Sequence, residues 1–460
     1  MRYRFLSTAI AVSLASAALA ACGSSSSSSA GSSLLGATSS SSAYTGNVRI
    51  DCTGKKPITL HVLTPEDEGD TTVRDFQKAF PCIKLSVDAV PFADIGEKIQ
   101  VAASSSTPPD IYYYDGPNTA DYAYNGVIMP LDKYIDPAHK SELLRSIVEQ
   151  GTYDGKLYSA GLGESAIALF YNKTMTDAAG VYPPTTLAHA WTWSQAIAAF
   201  KKVEKGPASH PSVYALAASQ FGNGTPGNFY RDGNMLRSMG NPKAPDGSSA
   251  YDTFQGISDN GKTVNGYVNT PEDVAGAKVF QSLYSEGLEP KTGAPDMWLD
   301  GKAAFDLDGY YVATEAEQQT TKTHGSFKWG ITPLPYFKTP IVQTGDDTIG
   351  VSAKTKYPAE AAAFALFATS LQEQKNYFAD GGGLPVLKSL YQTPSFTKYP
   401  LDIFSDELAQ WGRPRPTTPV FAFYDNEMSM ALNNIALGAD PKSALDKAAS
   451  EIDQQLDDES

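Results

Sequence analysis

From Val48 onward, apolar stretches with strand character alternate with segments of helical period. Pro57–Leu63 reads as a strand, Thr71–Phe80 as a helix and Ile83–Val90 as the next strand. A helix near Ile95–Ala103 and a strand at Asp110–Tyr114 follow. This order is the sequence form of an α/β layered sheet with right-handed crossovers. Further along, helix starts are marked by their chemistry. Thr192 with Gln195 forms a capping box ahead of Trp193, Ile197 and Phe200. Thr270-Pro271-Glu272-Asp273 supplies an N-cap, a first-turn proline and acids that suit the helix dipole, and Gly287 supplies the stop. Pro358–Phe378 predicts one helix with Phe364, Phe367 and Leu371 on a single face, and Asp440-Pro441 opens a last helix with Leu445, Ala448, Ile452 and Leu456 inward. No internal repeat interrupts this body of about 410 residues, which is too long for one core and predicts two lobes.

The first 47 residues follow a different pattern. Arg2 and Arg4 precede an apolar run, Phe5–Ala20, too short to span a membrane comfortably and of the length of a secretory signal. The run ends in Leu19-Ala20-Ala21-Cys22-Gly23, which resembles a bacterial lipobox, so that residues 1–21 are expected to be a lipoprotein signal peptide and Cys22 the lipidation site. Residues 22–47 are rich in Ser, Gly and Ala and read as a flexible tether. The body is then expected outside the cytoplasm, held to the membrane surface by acyl chains. There an even pair of cysteines reads as one disulfide, and Cys52 and Cys82 each precede a parallel strand of the same strand–helix–strand unit. Two cysteines without a neighbouring histidine fall short of a zinc set, and neither a metal nor a cofactor is expected.

Charge narrows the partners. Lys and Arg number 36 against 51 Asp and Glu, a net charge of −15. A surface of that sign argues against nucleic acid, which needs phosphate neutralisation. With 25 Tyr, 20 Phe and only 5 His, the chain is rich in flat, hydroxyl-tipped surface and poor in general bases for neutral pH, which leans towards binding over acid–base chemistry. Two motifs match only in letters. Gly256–Thr263 fits the Walker A pattern, but a strand at Val264–Tyr267 and a late helix at Pro271 predict a turn instead. Gly222–Gly227 fits GxGxxG, but Pro226 breaks the helix start that a dinucleotide site needs. The sequence holds no GxSxG, HExxH or EF-hand loop.

An ordered set of landmarks then carries a resemblance: Thr107–Ile111, Gly126–Leu131, Asp154–Tyr158, Leu169–Lys173, Pro183-Pro184, Gly301–Phe305, Pro333–Pro335, Gly350–Ser352 and Gly382–Val386. In that order they resemble the family 1 extracellular solute-binding proteins of ABC importers, the group that includes maltose-binding protein. The resemblance implies two α/β lobes of the periplasmic-binding-protein type, joined by crossing segments near Gly161–Ser165, Asp347–Val351 and Tyr391–Pro400. Lobe 1 would combine 48–162 with 350–395, and lobe 2 would combine 163–347 with 396–460. A carbohydrate, expected to be an oligosaccharide, is the implied ligand, a membrane permease the implied partner, and a monomer without catalytic activity the implied state.

Position by position, the resemblance places Tyr114, Asp115 and Asn118 past a strand end, Glu164 beside the first crossing, and Tyr230, Tyr310, Tyr311 and Tyr424 where ligand-stacking aromatics are found. Glu66 and Asp67 follow the first strand, and Asp346-Asp347 stand at the second crossing. Sugar C–H faces pack on aromatic rings while carboxylates and amides take the hydroxyls, so these residue types suit that ligand. The extra carboxylates leave a cationic small solute such as an amino sugar or polyamine open as an alternative, and a secreted glycan-active enzyme as a third.

Overall fold

Ile58–Pro65 is the strand from which the first sheet grows, because Leu60, Val62 and Leu63 along it have partners to bury against on both sides. The computed structural model describes residues 44–66, 70–206, 213–218, 226–293 and 296–459. The signal peptide, Cys22, most of the tether, Asp67 and most of the GxGxxG match lie outside the described residues. Ile58–Pro65 pairs in parallel with Ile83–Val90, Ile58 opposite Ile83, and with Ile111–Asp115, Val62 opposite Ile111. The helix Asp70–Ala79 makes the crossover, and its Phe76 packs edge-on against Phe364 and Phe367 with ring centroids 5.1 and 5.3 Å apart. A fourth strand, Asp347–Val351, closes the sheet antiparallel to Ile111–Asp115 and sets Asp347 directly opposite Asp115. Cys52 and Cys82 form a disulfide, Cα to Cα 5.2 Å, at the entrance of the two parallel strands.

The second sheet is centred on Ile167–Asn172, six residues all buried, as its unbroken apolar reading requires. Ala303–Gly309 and Trp329–Thr332 flank it antiparallel, and Tyr214–Leu216 adds in parallel to Ala303–Gly309. Phe170, Trp193, Phe200, Trp298 and Phe305 fill the core beneath. Each sheet therefore has its own core, and the chain visits both repeatedly. Leu162 belongs to the first and Ala166 to the second, Val342 to the second and Ile349 to the first, Leu390 to the first and Tyr391 with Phe396 to the second. The result is a two-lobed α/β fold.

Local signals reappear with their chemistry. Thr192 and Gln195 close a reciprocal capping box, with Thr192 N–H donating to Gln195 Oε1 at 2.8 Å. Thr270 and Asp273 do the same at the start of Pro271–Ser285. The last helix, Pro441–Glu459, buries Leu445, Ala448, Ile452 and Leu456. Two expectations need correction. Pro358–Phe378 is not one helix: Pro358–Ala368 ends at Thr369, and Ser370 caps a second helix, Leu371–Ala379, by accepting from Glu373 N–H at 3.3 Å. Ser370 Oγ takes the free N–H of Glu373 and so opens a separate helix, on which Leu371 faces solvent. Val264–Tyr267 is not a strand either. Ser258 Oγ gathers the N–H groups of Lys262 and Thr263 at 3.1 and 3.0 Å, and Asp453 of the last helix accepts from Val264 N–H at 2.6 Å, so the segment is folded into turns.

Candidate functional site

The ends of the strands bring the polar residues of both lobes to one place. In the first sheet Asp115 ends one strand and Asp347 begins its antiparallel neighbour, so the register itself sets two carboxylates side by side. In the second, Ala303–Gly309 delivers Tyr310 and Tyr311 at its carboxyl end. Asn228 caps the helix Phe229–Arg237 by accepting from Arg231 N–H at 3.3 Å, which holds Tyr230 in the first turn. Between these elements lies a cavity of about 710 Å³. Thr71, Phe92 and Asp115 line it from the first lobe, Asn228, Tyr230, Tyr310 and Tyr311 from the second, and Gly345–Asp347 and Gly381–Gly383 from the segments between.

Two glycines make the packing possible. A Cβ on Gly383 would come within 2.1 Å of Asp346 Oδ2, and one on Gly345, whose φ is +133°, within 2.8 Å of Arg415 Nη2. The Asp346 carboxylate accepts Asp347 N–H at 2.9 Å, and burial raises its pKa to about 6. Burial likewise brings Asp425, also on the cavity, to about 6. Arg415 forks onto Asp115, Nη1 to Oδ2 at 2.9 Å and Nη2 to Oδ1 at 2.5 Å, and also donates to the Gly345 carbonyl at 3.2 Å. Burial opposes its charge, but Asp115 and Asp425 outweigh that and raise the guanidinium above its ordinary range.

The aromatic rings are partly committed to protein. Arg415 lies over the Tyr230 ring, 5.1 Å from its centroid, and the Tyr230 hydroxyl is hydrogen-bonded to Ser165 Oγ. Tyr310 stacks on Phe378 at 5.7 Å, and the Tyr311 hydroxyl donates to Asp308. These tyrosines thus offer the cavity edges and remaining ring surface, with their positions fixed beforehand. Such a wall can hold a polar, ring-shaped solute.

Of the residues singled out on sequence, Asp115, Tyr230, Tyr310, Tyr311, Asp346 and Asp347 meet on the cavity. Glu66, Tyr114, Asn118, Glu164 and Tyr424, the other singled-out residues that are described, do not line it. Tyr114 is buried in the first lobe, edge-on to Tyr122 at 4.9 Å, with its hydroxyl 3.4 Å from Thr119 Oγ1. Asn118 stands behind Asp115 and donates to its backbone carbonyl at 3.1 Å. Glu66 is exposed where the first strand ends. Tyr424 is a core residue, 0% exposed, whose hydroxyl donates to the Gly256 carbonyl at 3.0 Å and whose ring meets Phe229 edge-on at 5.1 Å.

Glu164 is also buried away from the cavity. It accepts from Ser146 Oγ, from Ser165 N–H at 2.9 Å and from Gly345 N–H at 3.0 Å, which ties two crossing segments together. Burial raises its carboxyl to about 7. Sequence reasoning passed over Arg415, Asp425, Tyr377 and Phe92. Arg415 stands between Pro414 and Pro416, which fix an extended backbone, but nothing local announces its partner.

The profile of a family described as bacterial extracellular solute-binding protein matches residues 71–404. The galactooligosaccharide-binding protein of Bacillus subtilis is 24% identical over 415 residues, covering 86% of this chain and 89% of that protein. An ABC substrate-binding protein from Listeria monocytogenes, solved in complex with cycloalternan, shares the fold with a TM-score of 0.71 at 19% identity, covering 88% of this chain and all of that one. The GacH receptor of Streptomyces glaucescens, solved unliganded and with acarbose, gives the same TM-score at 20% identity and the same coverage of this chain. With the family profile spanning most of both lobes and the cavity between them, the chain belongs to the bacterial extracellular solute-binding protein family.

Proposed function

We propose that this protein is the substrate-binding lipoprotein of an ABC importer, capturing a carbohydrate between its lobes by hinge closure and delivering it to a membrane permease. The observation that carries the reading is the cavity of about 710 Å³ between the two sheets, lined by Tyr230, Tyr310, Tyr311 and Tyr377 together with carboxylates. Its volume lies in the range of small-molecule sites, and hydroxyl-tipped rings with acids among them match a sugar's alternation of C–H faces and hydroxyls. Relatives with oligosaccharides in their names support an oligosaccharide as the ligand. The lobes are taken as 48–162 with 350–395 and 163–347 with 396–460; the changes of core from Leu162 to Ala166 and from Val342 to Ile349 support the first two crossings, and the third change falls a few residues earlier, between Leu390 and Tyr391. Ligand drives closure to the extent that it binds the closed state more tightly than the open one. The protein acts as a monomer without turnover, fixed at the membrane by acyl chains on Cys22.

Calorimetric titration against neutral oligosaccharides, with a hydrolysis assay alongside, tests this. Saturable binding without product is the expected result. Product formation, or heat with no sugar of the series, sends the reading elsewhere. A second reading, a receptor for a cationic solute, is favoured by one observation: Asp115, Asp346, Asp347, Asp380 and Asp425 all line the cavity.

A further inference from the structure

The tyrosines on the cavity are largely covered by protein. Tyr230 is buried under Arg415 and Tyr310 against Phe378, and the Gly382 backbone packs so closely on the buried Tyr377 ring that a Cβ there would come within 2.5 Å of it. Phe92 lines the same cavity but is 44% exposed. Among the described residues it belongs to no buried apolar cluster, and of the large apolar side chains left exposed it alone is on the cavity. A ring left in water in this way adds little to folding.

Its backbone is nonetheless pinned on both sides. The strand Ile83–Val90 ends in buried Val90, Pro91 holds φ at −53°, and Asp94 N–H returns to the Pro91 carbonyl at 2.9 Å to close a single turn. The helix Ile95–Ala103 follows at once and buries Ile95 and Ile99. Asp380 is the other lining residue that is fully exposed. It directly follows the helix Leu371–Ala379, whose Tyr377 belongs to the first core, and Thr71 Oγ1 donates to its Oδ2 at 2.5 Å. A lining residue that is itself open to water stands where the cavity meets solvent, so one aromatic face and one oriented carboxylate mark the mouth on the side of the first lobe. We infer that Phe92 and Asp380 form a rim subsite, which takes a sugar unit of the ligand beyond those enclosed among the tyrosines. The ring meets the C–H face of a pyranose and the carboxylate accepts its hydroxyls. The inference rests on the carbohydrate reading above and adds to it a dependence on chain length.

Calorimetric titration of the wild type, Phe92→Ala, Phe92→Tyr and Asp380→Asn with two graded series, maltose to maltotetraose and galactobiose to galactotetraose, is the test. Wild-type affinity is expected to rise with length in one series. Phe92→Ala weakens the longest oligomer about tenfold and leaves the shortest unchanged, while Phe92→Tyr keeps the wild-type profile. The thermal midpoint of the ligand-free protein stays the same in Phe92→Ala. Asp380→Asn shows the same length-selective loss at smaller size and carries the test should Phe92→Ala not fold. Wild-type binding that ignores length, an equal loss for short and long oligomers, or no loss in either variant overturns the rim subsite and leaves the carbohydrate reading standing. Failure of the wild type to bind any member of either series sinks that reading, and the subsite with it.

Discussion

Arg231 and Arg415 are both almost wholly removed from water, and both are held by carboxylates, yet they belong to different parts of the molecule's economy of motion. Arg231 donates to Asp232 at 2.8 Å, to Glu289 at 2.6 Å and to the Tyr284 hydroxyl at 3.2 Å, and all of these groups lie in the second lobe. Arg415 reaches Asp115 in the other lobe. The chemistry is the same guanidinium–carboxylate fork or its single-bond relative. What differs is whether the partners share a lobe. Under the hinge closure proposed above, a pair inside one lobe is kept throughout and acts on stability, whereas a pair between lobes is made as they approach and acts on binding and closure.

The sharpest way to break this comparison is Arg231→Met, which strands Asp232 and Glu289 without their cation. A loss of about 3–5 kcal/mol is expected in denaturant unfolding, with ligand affinity of the folded protein unchanged. An affinity change without a stability change would erase the distinction. Tyr424→Ala comes next. It lies nine residues past Arg415 but in the core, and truncation there is expected to cost about 3 kcal/mol or more in the ligand-free protein. Arg415→Gln is expected to cost less, about 1–2 kcal/mol, because Asp115 is partly exposed and can rehydrate.

A further expected effect is a dependence on pH. Glu164 and Asp273 are buried without an ion-pair partner, and burial raises each to about 7. The unfolded chain gives up these protons near the ordinary carboxylate values, whereas the folded chain keeps them to about pH 7. Between those limits the folded state binds more protons, so its stability falls as pH rises through the window. The thermal midpoint is accordingly expected to be higher at pH 5 than at pH 8, and Glu164→Gln should flatten that slope. An unchanged slope would place the titration elsewhere.

Much of the fold was legible in the sequence because its signals are local. The capping box of Thr192 and Gln195 involves residues three apart, and the strand–helix–strand opening needs only periodicity and one crossover. The pairing of Cys52 with Cys82 followed from two strands entering one sheet in parallel. Local signals also misled. The helix period runs smoothly through Thr369 and Ser370, and only packing shows that the chain restarts there. The site was legible by type: six of the singled-out residues meet on the cavity, since strand ends gather polar side chains in α/β sheets. It failed by individual for Tyr114 and Tyr424, because a tyrosine that stacks on a ligand and one that spends its hydroxyl on a buried carbonyl look alike in a sequence.

The sequence by itself determined the alternation of strands and helices, the division into more than one core, the disulfide and an acidic, tyrosine-rich character. Those depend on residue periods, spacing and composition. Only the tertiary structure decided which acids face the cavity, that Glu164 ties the crossings together, and that the cleft holds a cation of its own. Arg415 and Asp115 stand 300 residues apart. Their pairing is fixed by the strand ends of two separate lobes, a relation in space that no stretch of either segment encodes.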